Sequence, residues 1–249
     1  MIKRSKGFNW GSGAVSCAYW KGPLLRDILL AAEVSEDFPQ SHRYWVNLGG
    51  ADEPSEGTYE PCIPLQYAMD PRNDVMLAQY MNDEPLPPDY RSPVRVVIPG
   101  YVGWRCVRKL SKIRISDKEN DSHYLIWDNR VLPSFATEKD GEFVTTMFTH
   151  PSTACNEQNL NSLIMKPAQE EKITLSDARK GKTYRTEGYT YDGGGHELQS
   201  VEFPWMAAKL VSTVSVNSPK SRSAMATSPG RGCRGTSIRK HRTCWDAKA

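Results

Sequence analysis

Between Pro93 and Leu110 the chain reads PVRVVIPGYVGWRCVRKL, and no other stretch restricts the fold as much. Val94, Val96, Val97 and Ile98 form a β-branched run held between prolines, too short for a helix and too apolar for the surface. It predicts a buried strand. Pro99 and Gly100 stop that strand, and Arg105, Arg108 and Lys109 follow at once. A rigid element that delivers a glycine-bearing loop with several cations to one place suits an anion, because free backbone N–H groups and guanidinium forks match phosphate oxygens. On these residues alone, a basic surface loop after a core strand is the commoner outcome.

At 249 residues, 39% of them hydrophobic, the chain can hold one large domain or two ordinary ones. No apolar run reaches membrane-spanning length and no signal-peptide core follows Met1, so a soluble cytoplasmic protein is expected. Six cysteines are scattered without a C-x-x-C pair, which argues against a disulfide framework or a zinc site and for reduced thiols. The net charge of +3 is uneven: residues 204–249 hold nine Lys or Arg against one acid, Asp246, so that segment is +8 and residues 1–203 are −5. Such a break marks a boundary.

Pro23 suits the first turn of a helix carrying Leu24, Leu25, Ile28 and Leu29 on one face. A strand is expected at Tyr44, Val46 and Leu48 with a turn at Gly49–Gly50, and an alternating strand at Ile113 and Ile115. Residues 135–157 read as polar loop. Strands follow over Leu160–Met165 and Tyr184–Tyr191, with Gly193–Gly195 as a hairpin turn and His196 as an exposed residue after it. Cys17 reads as a small buried residue.

The segment PPDYRSPVRVVIPGYVGWRCVRKL resembles the molybdopterin-binding core of the eukaryotic sulfite oxidase and assimilatory nitrate reductase family, with its P-x-D-H-G-F-P-V-R, P-G and G-x-R-x-V-K elements. GFNWGSGAVSCAYWKGPLLRDIL and IPLQYAMDP, the latter followed by an expected helix over Asp74–Asn82, are similar to the same family. SHYLIWDNRVLPS places Asp128, Asn129 and Arg130 where nitrate reductases carry D-N-R and sulfite oxidases D-Y-K. NEQNLNSLIMKPAQEEKI resembles the start of the family's immunoglobulin-like dimerisation domain.

The resemblance implies an α+β chain: a partial, mixed-sheet, sulfite-oxidase-type molybdopterin domain over 1–150, then a partial immunoglobulin-like β-sandwich dimerisation domain over 151–203. It implies Mo-molybdopterin as cofactor and reduction of nitrate to nitrite, with haem, FAD and NAD(P)H confined to the full-length parent enzyme. Homodimers are the parent family's habit; neither a membrane nor nucleic acid is expected as a partner. By position, Trp10 and Asn129 would shape the nitrate pocket, Asn129 as a neutral amide donor. Asp52, Arg95, Cys106, Val107 and Arg108 would hold the pterin and its phosphate, with Tyr90 at an altered contact. Without the resemblance, Asp52 reads as an Asx-turn residue and Asp128–Asn129 as a turn before a strand.

The chain also departs from the family. Tyr90 stands for the histidine, Arg91 and Ser92 for G-F, Trp104 for a glycine and Arg108 for the lysine. The C-A-G-N-R-R loop, whose cysteine ligates molybdenum, has no counterpart before Gly7, so no residue is assigned to the metal and weak or no catalysis is expected. A sulfite oxidase-like enzyme and a non-enzymatic protein with a nucleic-acid-binding basic tail are the alternatives. Residues 204–249 carry a further expectation. Back-translated and read from the third base, Pro204–Lys209 is compatible with L-D-G-G-K, and Thr213–Lys220 and Arg222–Thr227 likewise give family-like strings. The tail is thus expected to be an out-of-frame, disordered segment.

Overall fold

A computed structural model of the chain describes residues 13–15, 18–39, 41–133, 135–136, 141–172, 174–180 and 186–193, with the backbone alone of 201–204, 211–214, 235–237 and 242–245. From Tyr19 to Thr149 the order is β1 (Tyr19–Lys21), α1 (Leu25–Ala31), β2 (Trp45–Gly50), β3 (Cys62–Pro64), α2 (Leu65–Met69), β4 (Met76–Ala78), β5 (Tyr80–Met81), β6 (Glu84–Pro85), β7 (Arg95–Val97), β8 (Leu110–Ser116) and α3 (Glu142–Thr149). Then come β9 (Asn161–Lys166), α4 (Leu175–Arg179), β10 (Thr186–Tyr191), β11 (Val201–Pro204), β12 (Val211–Val214), β13 (Gly235–Ser237) and β14 (Arg242–Trp245). Two compact units result, one built on residues 18–157 with 224–238, the other on 1–17, 158–223 and 239–249.

In the first unit the β-branched run is the strand expected of it. β7 pairs with β4 in the register Met76↔Val97, Leu77↔Val96 and Ala78↔Arg95. This ribbon is apolar on both faces because each face meets a different core. Val96, Ile98 and Leu77 join Leu25, Leu29, Val46, Leu48 and Ile63 in the main cluster, while Val97, Met76 and Ala78 pack with Trp20, Leu24 and Leu86. A strand buried on both sides reads as a continuous apolar run, with no alternation to betray it.

The helix expected over Asp74–Asn82 is absent, and β4 and β5 occupy its place. Val75, Met76, Leu77 and Ala78 are all buried, whereas a helix would bury one stripe of them. Asn82 (φ 54) and Asp83 (φ 68) are both left-handed and close the two-residue hairpin between β5 and β6. Gly49 and Gly50 likewise continue β2 through a register shift against β8 instead of forming a turn. The expected loop over 135–157 contains α3, whose one buried residue is Val144.

β1 passes close to β4 at Gly22, with Leu77 N–H donating to the Pro23 carbonyl (2.9 Å) and Gln79 N–H to that of Lys21 (2.9 Å). A Cβ on Gly22 would lie 1.9 Å from the Leu77 carbonyl oxygen, so backbone must separate from backbone to admit it. Gly22→Ala should cost about 3 kcal/mol or more. A fall in melting temperature of about 6–12 °C checks this; an unchanged transition would refute the close approach.

The second unit has β10 between β9 and β14, with β11 and β12 as a separate hairpin. The expected strands stand at β9 and β10, paired from Tyr191↔Asn161 to Glu187↔Lys166. Gly193 N–H donates to the Gln158 carbonyl (2.8 Å); Gly194, Gly195 and His196 lie outside the described residues. Of the tail, only strand backbone is described. The α+β class holds, and every pairing among the described strands is antiparallel.

Candidate anion and pterin site

The loop that follows β7 is pinned at its base. Val96 N–H donates to the Val107 carbonyl (2.9 Å) and Leu110 N–H to that of Val94 (3.1 Å). Gly100, at φ 79, makes the sharp exit. The buried Val107 side chain belongs to the main core, and the Cys106 sulfur accepts from Ile98 N–H at 3.5 Å. Neither side chain faces outward, so what Cys106 and Val107 can offer a ligand is backbone. The same packing turns Arg108 out into solvent.

Arg105 goes the other way. It is 2% exposed, with Nη1 donating to the Cys62 carbonyl (2.5 Å), Nε to the Cys155 carbonyl (3.4 Å) and its guanidinium 4.1 Å from the Trp104 ring centroid. The loop therefore leaves Arg108 and Lys109 exposed, while Arg105 is a structural bolt. Trp104, which replaces the family glycine, supplies the face on which that bolt rests.

Arg95, on β7, is half-buried beside the Trp20 ring, with 5.3 Å from guanidinium carbon to centroid. Its Nε is buried with no hydrogen-bond partner among the described residues. Burial pulls its pKa down, and the charge of Arg108 pulls the same way; Cys106 and Tyr90 oppose them. The fold thus brings Arg95, Arg108 and Tyr90 into one electrostatic neighbourhood. Two cations that disfavour each other, one with an idle N–H, are stabilised by an anion between them.

Asp52 is tied to that neighbourhood. Its carboxylate accepts from Arg91 Nη1 at 3.1 Å, and Ala51 N–H donates to the Lys109 carbonyl at 2.9 Å. Arg91 adopts the left-handed conformation (φ 68) after the turn Pro88–Tyr90, a geometry suited to the glycine of the resembled family. The Asp52–Arg91 pair was not apparent from sequence.

The Asp128–Asn129–Arg130 segment closes a π-turn over Tyr124–Asp128. Asn129 Nδ2 donates to the Tyr124 carbonyl (3.0 Å) and to Asp128 Oδ2 (3.2 Å). The Asn129 amide thus finds acceptors within its own turn. Arg130 is also structural, with Nε on the Leu125 carbonyl (2.9 Å) and Nη1 on the His150 carbonyl (3.2 Å). Trp10 and Cys17 lie outside the described residues.

The cationic group fits a phosphate-bearing pterin. Burial pushes the Cys62 thiol up to about 11 and raises those of Cys106 and Cys155 as well. Among the described residues no three His, Cys, Asp or Glu gather as a metal site.

A family model for the oxidoreductase molybdopterin-binding domain matches residues 1–124, and one for the Mo-co oxidoreductase dimerisation domain matches residues 152–247. The chain belongs to the molybdopterin-binding oxidoreductases. The chain is 38% identical to the NADPH nitrate reductase of Fusarium oxysporum over 81% of its own length and 22% of that protein. It is 38% identical to the NAD(P)H nitrate reductase of Hordeum vulgare over 81% and 23%, and 33% identical to the NADPH nitrate reductase of Pichia angusta over 89% and 25%. It therefore spans about a quarter or less of these relatives. Its fold is similar to that of the sulfane dehydrogenase SoxCD from Paracoccus pantotrophus, with a TM-score of 0.57 at 19% identity over 95% of this chain and 54% of that one. The expected family, fold class and molybdopterin cofactor all hold.

Proposed function

We propose that this molybdopterin oxidoreductase forms the molybdenum–pterin portion of a nitrate reductase and takes part in reducing nitrate to nitrite. The observation that carries the reading is the similarity to nitrate reductases across four-fifths of the chain, which runs through the arginine cradle and the Asp128–Arg130 turn. In it, Arg95 and Arg108 hold the pterin phosphate, and Tyr90 and Asp52 border it. Arg91 orients the Asp52 carboxylate. Trp10 and the turn fastened by Asn129 shape the nitrate side. When bound, the molybdenum–pterin group supplies the two-electron oxygen-atom chemistry. Homodimer formation through the dimerisation domain, a cytoplasmic setting, and electron supply from NAD(P)H through flavin and haem in the whole enzyme belong to the same proposal. No helix among the described residues is long and apolar enough to cross a membrane.

The test is molybdenum by elemental analysis and pterin by fluorescence on the chain purified from a cofactor-making host. Pterin close to one per chain is expected. A preparation with neither metal nor pterin would overturn the assignment. Loaded protein is then assayed with a reduced dye and nitrate, and separately with sulfite; turnover of sulfite alone would favour the sulfite oxidase-like alternative.

A further inference from the structure

Three segments singled out by sequence, the Asp52 turn, the Trp104–Arg108 loop and the Tyr124–Asn129 turn, meet at a residue that no motif marks. Tyr59 donates its hydroxyl to the Trp104 carbonyl at 2.6 Å. Its ring lies 5.6 Å from that of Tyr124, tilted by 48°. Its own carbonyl accepts from Gly50 N–H at 3.0 Å, two residues before Asp52. Gly50 sits so tightly there that a Cβ would be 3.4 Å from the Arg108 carbonyl and 3.5 Å from that of Tyr59. Tyr124 is held in turn, since its hydroxyl accepts from Glu56 N–H (3.1 Å) and its carbonyl from the Asn129 amide (3.0 Å).

We propose that Tyr59 is a positioning residue that couples the anion loop to the Tyr124–Asn129 turn, so that the phosphate-holding and substrate sides keep one spacing. The idea rests on the function proposed above. A tyrosine suits the task better than a serine or lysine, because its ring reaches Tyr124 while its hydroxyl reaches Trp104. Burial and then Asp128 push the phenol up to about 12, against the pull of Arg105 and Arg108. The hydroxyl therefore keeps its proton, and the bond to Trp104 holds throughout the neutral range. Arg95 and Arg108 would bind a phosphate without this coupling; the coupling sets where the phosphate stands relative to residues 124–130.

Amide hydrogen exchange on the full chain tests the coupling whether or not cofactor is loaded. Tyr59→Phe keeps ring and volume and removes one hydrogen bond, so the fold should survive. Exchange should rise at least fivefold over residues 103–109 and at least twofold over 124–130. Tyr59→Leu, which also removes the ring contact, should raise 124–130 further. A rise confined to 103–109, or none in either segment, overturns the proposal. Pterin content is measured on the same samples. Pterin absent from the unmodified chain would sink the functional reading while leaving the exchange result to decide on Tyr59. If the unmodified chain carries pterin, Tyr59→Phe should retain it and raise the nitrate KM severalfold, an effect that a purely local packing role would not produce.

Discussion

Arg105→Ala should destabilise the molybdopterin domain by about 3 kcal/mol, enough to lower the urea midpoint by more than 1 M for an ordinary denaturant dependence. Three losses add. Two inward carbonyls, those of Cys62 and Cys155, lose their donor, and each buried unsatisfied acceptor costs about 1–3 kcal/mol. The side chain leaves a void in a site that is 2% exposed, and the Trp104 face loses its cation. One gain opposes them, because a buried guanidinium has been removed from an environment that disfavours its charge. The losses win, since they include backbone groups that cannot move to water. Arg105→Lys restores the charge without the fork and should recover less than half of the deficit. Urea unfolding followed by tryptophan fluorescence measures this, and a midpoint within 0.2 M of the unmodified chain, on the order of experimental scatter, would show that Arg105 bolts nothing.

That result would also mark where sequence stops being readable. The strand at β7 was legible because a β-branched run between prolines has one use. The neighbouring run Val75–Ala78 was not, since burial on both faces erases the period that separates strand from helix; the Asn82–Asp83 pair, both left-handed, was the available clue. α3 was hidden by composition. It holds Thr145, Thr146 and Thr149, and the Thr146 and Thr149 hydroxyls bond back to carbonyls of their own helix, Thr146 to Glu142 at 2.8 Å and Thr149 to Thr146 at 3.0 Å. At the site, the sequence shows three cations in five residues but not their directions. The turn Gly103–Arg105 sends one inward, and only coordinates reveal which. For Asn129 the sequence shows an amide at a motif position but not its partners, which here lie in its own turn. Tyr59 carries no motif at all, because its role follows from three segments distant in sequence arriving at one ring and one hydroxyl.

Arg95→Ala should separate ligand binding from stability, moving the two in opposite directions. In the chain without cofactor, Arg95 is a liability: half-buried, with an idle Nε and its charge disfavoured by burial and by Arg108. Removing it loses the packing against Trp20 but also relieves that repulsion, so the unfolding temperature should hold or rise slightly. Pterin retention should fall sharply. A charge-assisted hydrogen bond to phosphate is worth about 1.5–3 kcal/mol, or roughly ten- to a hundredfold in affinity. Arg108→Ala, at an exposed position, should cost less and depend more on salt. Arg95→Lys keeps the charge while losing the planar fork, and should fall between the unmodified chain and Arg95→Ala. Arg72→Ala is the control, since Arg72 is an exposed arginine paired with Asp70 and should change nothing in pterin content. Pterin per chain after purification, read beside the melting curve, gives both quantities from one sample. If Arg95→Ala keeps its pterin, the cradle is not the phosphate site. If it loses pterin and stability together, Arg95 serves the fold, and the idle Nε is not evidence of a missing ligand.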